Sequence, residues 1–234
     1  MDEEIISKYT NNEFALFFDH TQLKPFAGND EFKNLCSEAG SYGFKMVAVN
    51  PAQVILCKKL LEGTPVHVGA AIGFPLGQNT IESKLFETGD AIKNGADEID
   101  YVINISELKN GNTGYIEREM ESIVSCCRSR GITSKVIFEN CYLEKAEIDE
   151  LCRIALRVKP DFIKTSTGFG TSGATAEDVK RMKQNVGGDI KVKAAGGIRT
   201  LDCALEMISS GAERIGSSAS VRILNSFIEK RKGH

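Results

Sequence analysis

The sequence predicts an α/β fold, a (β/α)8 (TIM) barrel with an extra N-terminal helix. After a first polar helix, short apolar or β-branched runs alternate with longer helical patterns, eight of each. Polar and glycine-rich residues gather just after the short runs, and strand C-terminal ends are where a barrel carries its functional groups. A doubly wound open sheet shares the alternation but usually has fewer strands. No composition shift or low-complexity linker divides the chain, so residues 1–234 read as one domain.

A polar helix is expected near 3–15. The first strand, 17–20, ends in Asp19-His20-Thr21 and leads to a helix near 30–42. Strand 46–49 runs into Asn50-Pro51 and a helix at 51–62. Strand 66–72 ends in Gly73-Phe74-Pro75. The helix after it, 80–94, has Asn79 and Thr80 as start signals and Glu82 in its first turn. Strand 98–104 carries Asp100 and Asn104 and precedes a helix at 115–130. Strand 135–139 ends in Glu139-Asn140, before a helix at 145–157. Strand 161–165 holds Lys164 and opens into Ser166-Thr167-Gly168-Phe169-Gly170, before a helix at 176–186. Strand 190–194 carries Lys193 and runs into Ala195-Gly196-Gly197, then a helix at 200–210. Strand 214–217 passes through Gly216-Ser217-Ser218 into a last helix at 218–231. Gly95, Gly131 and Gly211 sit where helices should stop.

Composition narrows the function. Apolar residues make up 41%, enough for a sizeable core, and the net charge of −3 offers no basic patch for nucleic acid. No apolar run is long enough to span a membrane. The acidic start, Met1-Asp2-Glu3-Glu4, lacks the basic-then-apolar order of a signal peptide. The seven cysteines are odd in number and without CxxC spacing, which suits reduced thiols in a cytoplasmic protein. Most fall on predicted helices and read as small buried hydrophobes. The three histidines form no cluster with metal-ligand spacing, so neither a metal nor a cofactor is expected.

The chemistry is read from strand alternation. Phe162, Lys164 and Ser166 share one face, an odd direction for a solvated lysine; an edge lysine that merely solubilises the sheet is the alternative. Lys191 and Lys193 share the inward face of their strand, as do Glu98 and Asp100 of theirs. Buried charges are costly unless paired. Glu98 and Lys191 are therefore expected as an internal ion pair low in the barrel, with Lys164, Lys193 and Asp100 functional near the mouth. A lysine attacks a carbonyl only as the neutral amine, which at the ordinary pKa is about one molecule in 2,500 at pH 7. A second ammonium and partial desolvation lower that pKa. Lys164 and Lys193 on adjacent strands fit such a Schiff-base site, with Asp100 to move protons.

Three glycine-bearing loops follow strands six, seven and eight: Gly168-Phe169-Gly170, Gly196-Gly197-Ile198 with Arg199, and Gly216-Ser217-Ser218. Backbone N–H groups in such loops can approach an anion, and barrels often hold phosphate after strands seven and eight. Gly168 to Gly173 also matches G-x-G-x-x-G, with Asp189 about 20 residues on, as in dinucleotide sites. That fingerprint belongs on the first strand of a doubly wound unit, and here it lies on the sixth of eight.

The chain resembles the deoxyribose-phosphate aldolases, a class I aldolase family, through nearly its whole length. The resemblance rests on Asp19-His20-Thr21, Ile72-Gly73-Phe74-Pro75, Glu98-Ile99-Asp100, Phe162 to Gly168, Lys193 to Thr200 and Arg214 to Ser218. It implies a barrel that reversibly cleaves 2-deoxy-D-ribose 5-phosphate to D-glyceraldehyde 3-phosphate and acetaldehyde. It also implies Lys164 as Schiff-base lysine, Lys193 as second lysine and Asp100 as proton-relay acid. Asp19, Thr21 and Thr167 would lie by the sugar hydroxyls. Gly168, Gly196, Gly197, Arg199, Gly216, Ser217 and Ser218 would hold the phosphate. A homodimer is expected by the same resemblance. The chain departs from the family pattern at Ala48, where some members have cysteine, and at Phe169, where some have lysine. It ends Arg231-Lys232-Gly233-His234 where members often end in tyrosine. A different phosphate-binding barrel enzyme, such as an isomerase, and a barrel that only binds a sugar phosphate are the competing readings.

Overall fold

The computed structural model describes residues 2–233. Eight parallel strands close into a barrel in chain order: β1 (Phe18–Thr21), β2 (Met46–Val49), β3 (His67–Ile72), β4 (Glu98–Val102), β5 (Thr133–Ile137), β6 (Phe162–Lys164), β7 (Lys191–Ala195) and β8 (Arg214–Ser217). Closure comes from β1 pairing with β8, Asp19 opposite Gly216. The helices form the outer layer. α3 (Asn29–Tyr42), α4 (Val54–Leu60) and α5 (Ile81–Lys93) follow the first three strands. α6 (Ile105–Lys109) and α7 (Thr113–Arg128) both follow β4. α8 (Lys145–Val158), α9 (Ala176–Val186), α10 (Leu201–Ser209) and α11 (Ser220–Lys232) complete the ring.

Outward strand residues such as Val47, Val68, Ile99, Val136, Ile163, Val192 and Ile215 join the helices' apolar faces in one continuous core. The interior is different. Register places Asp100 beside Lys135, and Lys164 beside Lys193, which neighbours Arg214. Gly69 makes room there, because a Cβ on it would lie 2.4 Å from Met46 Sδ.

One helical and one strand expectation are corrected. The helix expected at 3–15 is two short helices, α1 (Asp2–Lys8) and α2 (Asn11–Ala15). Thr10 restarts the chain with a capping box: its hydroxyl accepts from Glu13 N–H, and the Glu13 carboxylate accepts from Thr10 N–H. Phe14 of α2 then stacks on Phe227 of α11, ring centroids 3.8 Å apart. The strand expected at 98–104 ends at Val102 because Asn104 caps α6, its side chain accepting from Glu107 N–H. The end of β4 is held from outside by a buried pair, Lys84 of α5 and Glu119 of α7, 2.6 Å apart. Lys84 donates to Val102 O, and Glu119 accepts from Asn104 N–H, so both otherwise orphaned backbone groups are satisfied.

Candidate active site

Asp100 is the hub. Its Oδ1 lies 2.6 Å from Lys135 Nζ, and its Oδ2 accepts from Lys164 at 2.8 Å and from Lys193 at 2.6 Å. Lys193 also lies 2.5 Å from Asp19 Oδ2, and Arg214 lies 2.6 Å from Asp19 Oδ1. Glu98 closes the array 2.6 Å from Lys135, 2.7 Å from His67 and 3.4 Å from Arg214. Lys135, Lys164, Lys193 and Arg214 thus face only Asp19, Glu98 and Asp100, and all seven are buried. Fully ionised, the array carries one positive charge too many, and an uncompensated charge in a dry interior is expensive.

Geometry decides which cation yields its proton. Lys193 and Lys135 each touch two carboxylates, whereas Lys164 touches only Asp100. Burial pushes the Lys164 ammonium down to about 8; Lys193 and Lys135 add to the fall and Asp100 opposes it. Roughly one molecule in ten then carries a neutral amine at pH 7, a gain of about two orders of magnitude over a free lysine. Burial alone would raise the Asp100 carboxyl, but Lys135, Lys164 and Lys193 together hold it well below the ordinary range. Lys135 is pushed up, because Asp100, Glu98 and Asp19 outweigh its burial.

The expected Glu98–Lys191 pair does not form. Lys191 does lie on the inward face, but at the lower rim, exposed and 5.6 Å from the Phe162 ring centroid. Its place beside Glu98 is taken by Lys135, whose strand β5 lies directly next to β4. Lys135 and Arg214 are the charged members that strand-end reasoning missed. Alternation along β5 carried the signal, since it puts Lys135 on the same face as Ile137.

Above this array a cleft of about 300 Å³ opens at the strands' C-terminal ends. Lys164 forms its floor, with Thr21 and Thr167 beside it. Gly168, Gly196, Gly197 and Gly216 supply backbone walls, and Arg199, Ser217 and Ser218 complete the lining. Asp100 and Lys193 lie beneath it. Asp19 is not in the lining; it is fully buried against Lys193 and Arg214. Ser217 keeps its backbone at the cleft, but its hydroxyl is engaged, donating to Ile198 O and accepting from Ala219 N–H. Gln22, Leu23 and Lys24 from the loop after β1 also line the cleft, and sequence reasoning had passed over them.

Glycine is required where the loops meet. Gly196 has φ +86°, and a Cβ on it would lie 2.9 Å from Gly173 Cα. A Cβ on Gly173 would fall 2.1 Å from Gly196 O. Gly173, the last glycine of the G-x-G-x-x-G match, is thereby accounted for by loop packing between β6 and β7.

A closed parallel barrel whose C-terminal mouth holds a lysine with a lowered pKa is the scaffold of a barrel enzyme. The DeoC/LacD family aldolase pattern matches residues 14–223, and the chain belongs to that family. It is 58% identical to a deoxyribose-phosphate aldolase of Lactobacillus acidophilus over 92% of this chain and 91% of the relative. It is 53% identical to one of Bacteroides thetaiotaomicron over 98% of this chain and 97% of the relative. A solved tetrameric deoxyribose phosphate aldolase from Aeropyrum pernix superposes with a TM-score of 0.90 at 32% identity, covering 98% of this chain and 97% of that one.

Proposed function

We propose that this chain is a deoxyribose-phosphate aldolase, reversibly cleaving 2-deoxy-D-ribose 5-phosphate to D-glyceraldehyde 3-phosphate and acetaldehyde through a Schiff base on Lys164. The observation that carries the reading is the lone contact of Lys164 with Asp100, under a cleft and among two further buried lysines. Neutral Lys164 Nζ attacks C1 of the open-chain aldehyde, and loss of water gives an iminium. Removal of the proton from the C3 hydroxyl breaks C2–C3, and the electron pair passes into the iminium to form an enamine. D-glyceraldehyde 3-phosphate leaves. Protonation at C2 and hydrolysis then release acetaldehyde. Asp100 Oδ2 bridges both amines, so it can accept the proton that Lys193 can return. No metal or cofactor enters this sequence. The test is equimolar formation of both products from 2-deoxy-D-ribose 5-phosphate in the presence of EDTA; no acetaldehyde would refute the reading.

The phosphate is assigned to the loops carrying Gly168, Gly196, Gly197, Arg199, Gly216, Ser217 and Ser218, next to the start of α11. Arg199→Ala or Ser218→Ala should lower kcat/KM for phosphorylated substrate by about ten- to hundredfold, since a charge-assisted hydrogen bond is worth roughly 1.5–3 kcal/mol. Unphosphorylated deoxyribose should be affected much less, and equal losses on both would mean that these residues only support the fold. Thr21 and Thr167 are placed beside the sugar hydroxyls, with Asp19 acting from below through Lys193.

No helix among the described residues is long and apolar enough to cross a membrane. The chain is proposed to act as one cytoplasmic domain and as a homodimer. A sedimentation measurement should give twice the chain mass, and a monomer at micromolar concentration would overturn the dimer.

A further inference from the structure

We propose that Glu139 fixes the hydrogen-bond polarity of Thr167, so that Thr167 accepts a hydrogen bond from a substrate hydroxyl and selects aldehydes that carry one. This rests on the aldolase reading. Glu139 is buried and lies just past β5, where the parallel ladder continues: Phe138 N–H donates to Lys164 O and Asn140 N–H to Thr165 O. Between those two bonds Glu139 takes φ +57°, a left-handed conformation that a non-glycine residue rarely adopts. That turn sends its carboxylate under the loop after β6. Oε1 accepts from Thr167 N–H, and Oε2 accepts from the Thr167 hydroxyl. The loop is seated tightly on this carboxylate, since a Cβ on Gly170 would lie 3.3 Å from Glu139 Cδ.

The consequence is a matter of counting hydrogens. A threonine hydroxyl has one hydrogen and two lone pairs, and a carboxylate only accepts. Glu139 takes the hydrogen, and Phe169 N–H takes one lone pair at 3.0 Å. Thr167, which lines the cleft, has one lone pair left and no hydrogen to offer. It can satisfy a donor hydroxyl but not a carbonyl or ether oxygen. Glu139 does not line the cleft, so it is a positioning residue.

In the synthetic direction the acceptor D-glyceraldehyde 3-phosphate has a single free hydroxyl, and 3-oxopropyl phosphate lacks only that group. The experiment compares kcat/KM for acetaldehyde addition to the two aldehydes. The full chain should prefer the hydroxylated aldehyde by about tenfold or more, the scale of one neutral hydrogen bond. In Glu139→Gln the amide oxygen must face Thr167 N–H, so its NH2 meets Oγ1 and the hydroxyl turns its hydrogen toward the cleft. A substrate hydroxyl can accept that hydrogen, so the preference over 3-oxopropyl phosphate should persist. The ether 2-methoxy-3-oxopropyl phosphate can only accept, and the full chain should disfavour it by about tenfold. In Glu139→Gln the ether should react within about threefold of the hydroxylated aldehyde, while a merely structural loss would slow all three alike. Thr167→Val removes the acceptor without changing shape, should collapse the preference over 3-oxopropyl phosphate to within about threefold, and decides the matter if Glu139→Gln does not fold. Discrimination against the ether retained in Glu139→Gln, a preference for the hydroxylated aldehyde retained in Thr167→Val, or either one absent from the parent, overturns the proposal. Borohydride trapping of acetaldehyde on the enzyme needs no acceptor aldehyde. Its failure in the parent would sink the aldolase reading itself, whereas trapping with an unchanged preference would sink only the role of Glu139.

Discussion

Replacing Lys164 with methionine should give a protein that no longer turns over and yet melts higher than its parent at pH 7. The catalytic half follows from losing the amine whose pKa burial lowers to about 8. The stability half follows from the charge count. Without Lys164, three cations face three carboxylates, and Asp100 keeps Lys135 and Lys193. Holding the amine near pKa 8 instead of 10.5 costs about 3 kcal/mol, at about 1.36 kcal/mol per unit. Loss of the Lys164–Asp100 hydrogen bond offsets part of the gain, so the net rise in Tm should be a few degrees. The pH dependence has a definite sign. Between pH 8 and 10.5 the unfolded parent binds more protons than the folded one, so parent stability rises with pH across that window. The advantage of Lys164→Met is therefore full below pH 8 and gone above about 10.5. Differential calorimetry at pH 7 and pH 10 measures both points. A Tm several degrees below the parent at pH 7 would mean that the array is not overcharged.

Lys193→Leu should cost two or more orders of magnitude in kcat/KM at pH 7. Removing this ammonium also leaves three cations to three carboxylates, but now Lys164 is among them and is driven less strongly to shed its proton. The repulsion between Lys193 and Lys164 disappears, and the Lys164 pKa rises. The neutral fraction at pH 7 then falls below the parent's roughly one in ten. Raising the pH toward 9 should restore part of the amine, and loss of proton transfer through Lys193 caps the recovery. Burial is the largest cause of the shift and survives the substitution, so the pKa should stop short of an exposed lysine.

What the sequence revealed and hid follows from range along the chain. Lys164, Lys193 and Asp100 were legible because strand alternation fixes their facing, and polar runs mark the strand ends. Their partners were not, because an inward side chain chooses among neighbours on other strands, and stagger sets that choice. Lys135 rather than Lys191 therefore faces Glu98. The same limit hid Asp19, whose position beneath the cleft depends on Arg214, 195 residues away. The helix breaks were a different kind of miss. Thr10-Asn11-Asn12-Glu13 and Asn104-Ile105-Ser106-Glu107 are local signatures of a helix start, readable from spacing alone. Glu139 was visible as a strand-end carboxylate, but its use depends on a left-handed turn that no residue type announces.

The measurement that bears most directly on the central claim is borohydride trapping with acetaldehyde across pH, in the parent and in Lys193→Leu, followed by peptide mass mapping. It reads which amine forms the Schiff base and the pH at which that amine becomes free. The charge array predicts a single modified residue, Lys164, with a midpoint near pH 8 in the parent and a higher midpoint in the variant. Modification at Lys193 or Lys135, no modification at all, or one midpoint shared by both proteins would contradict it.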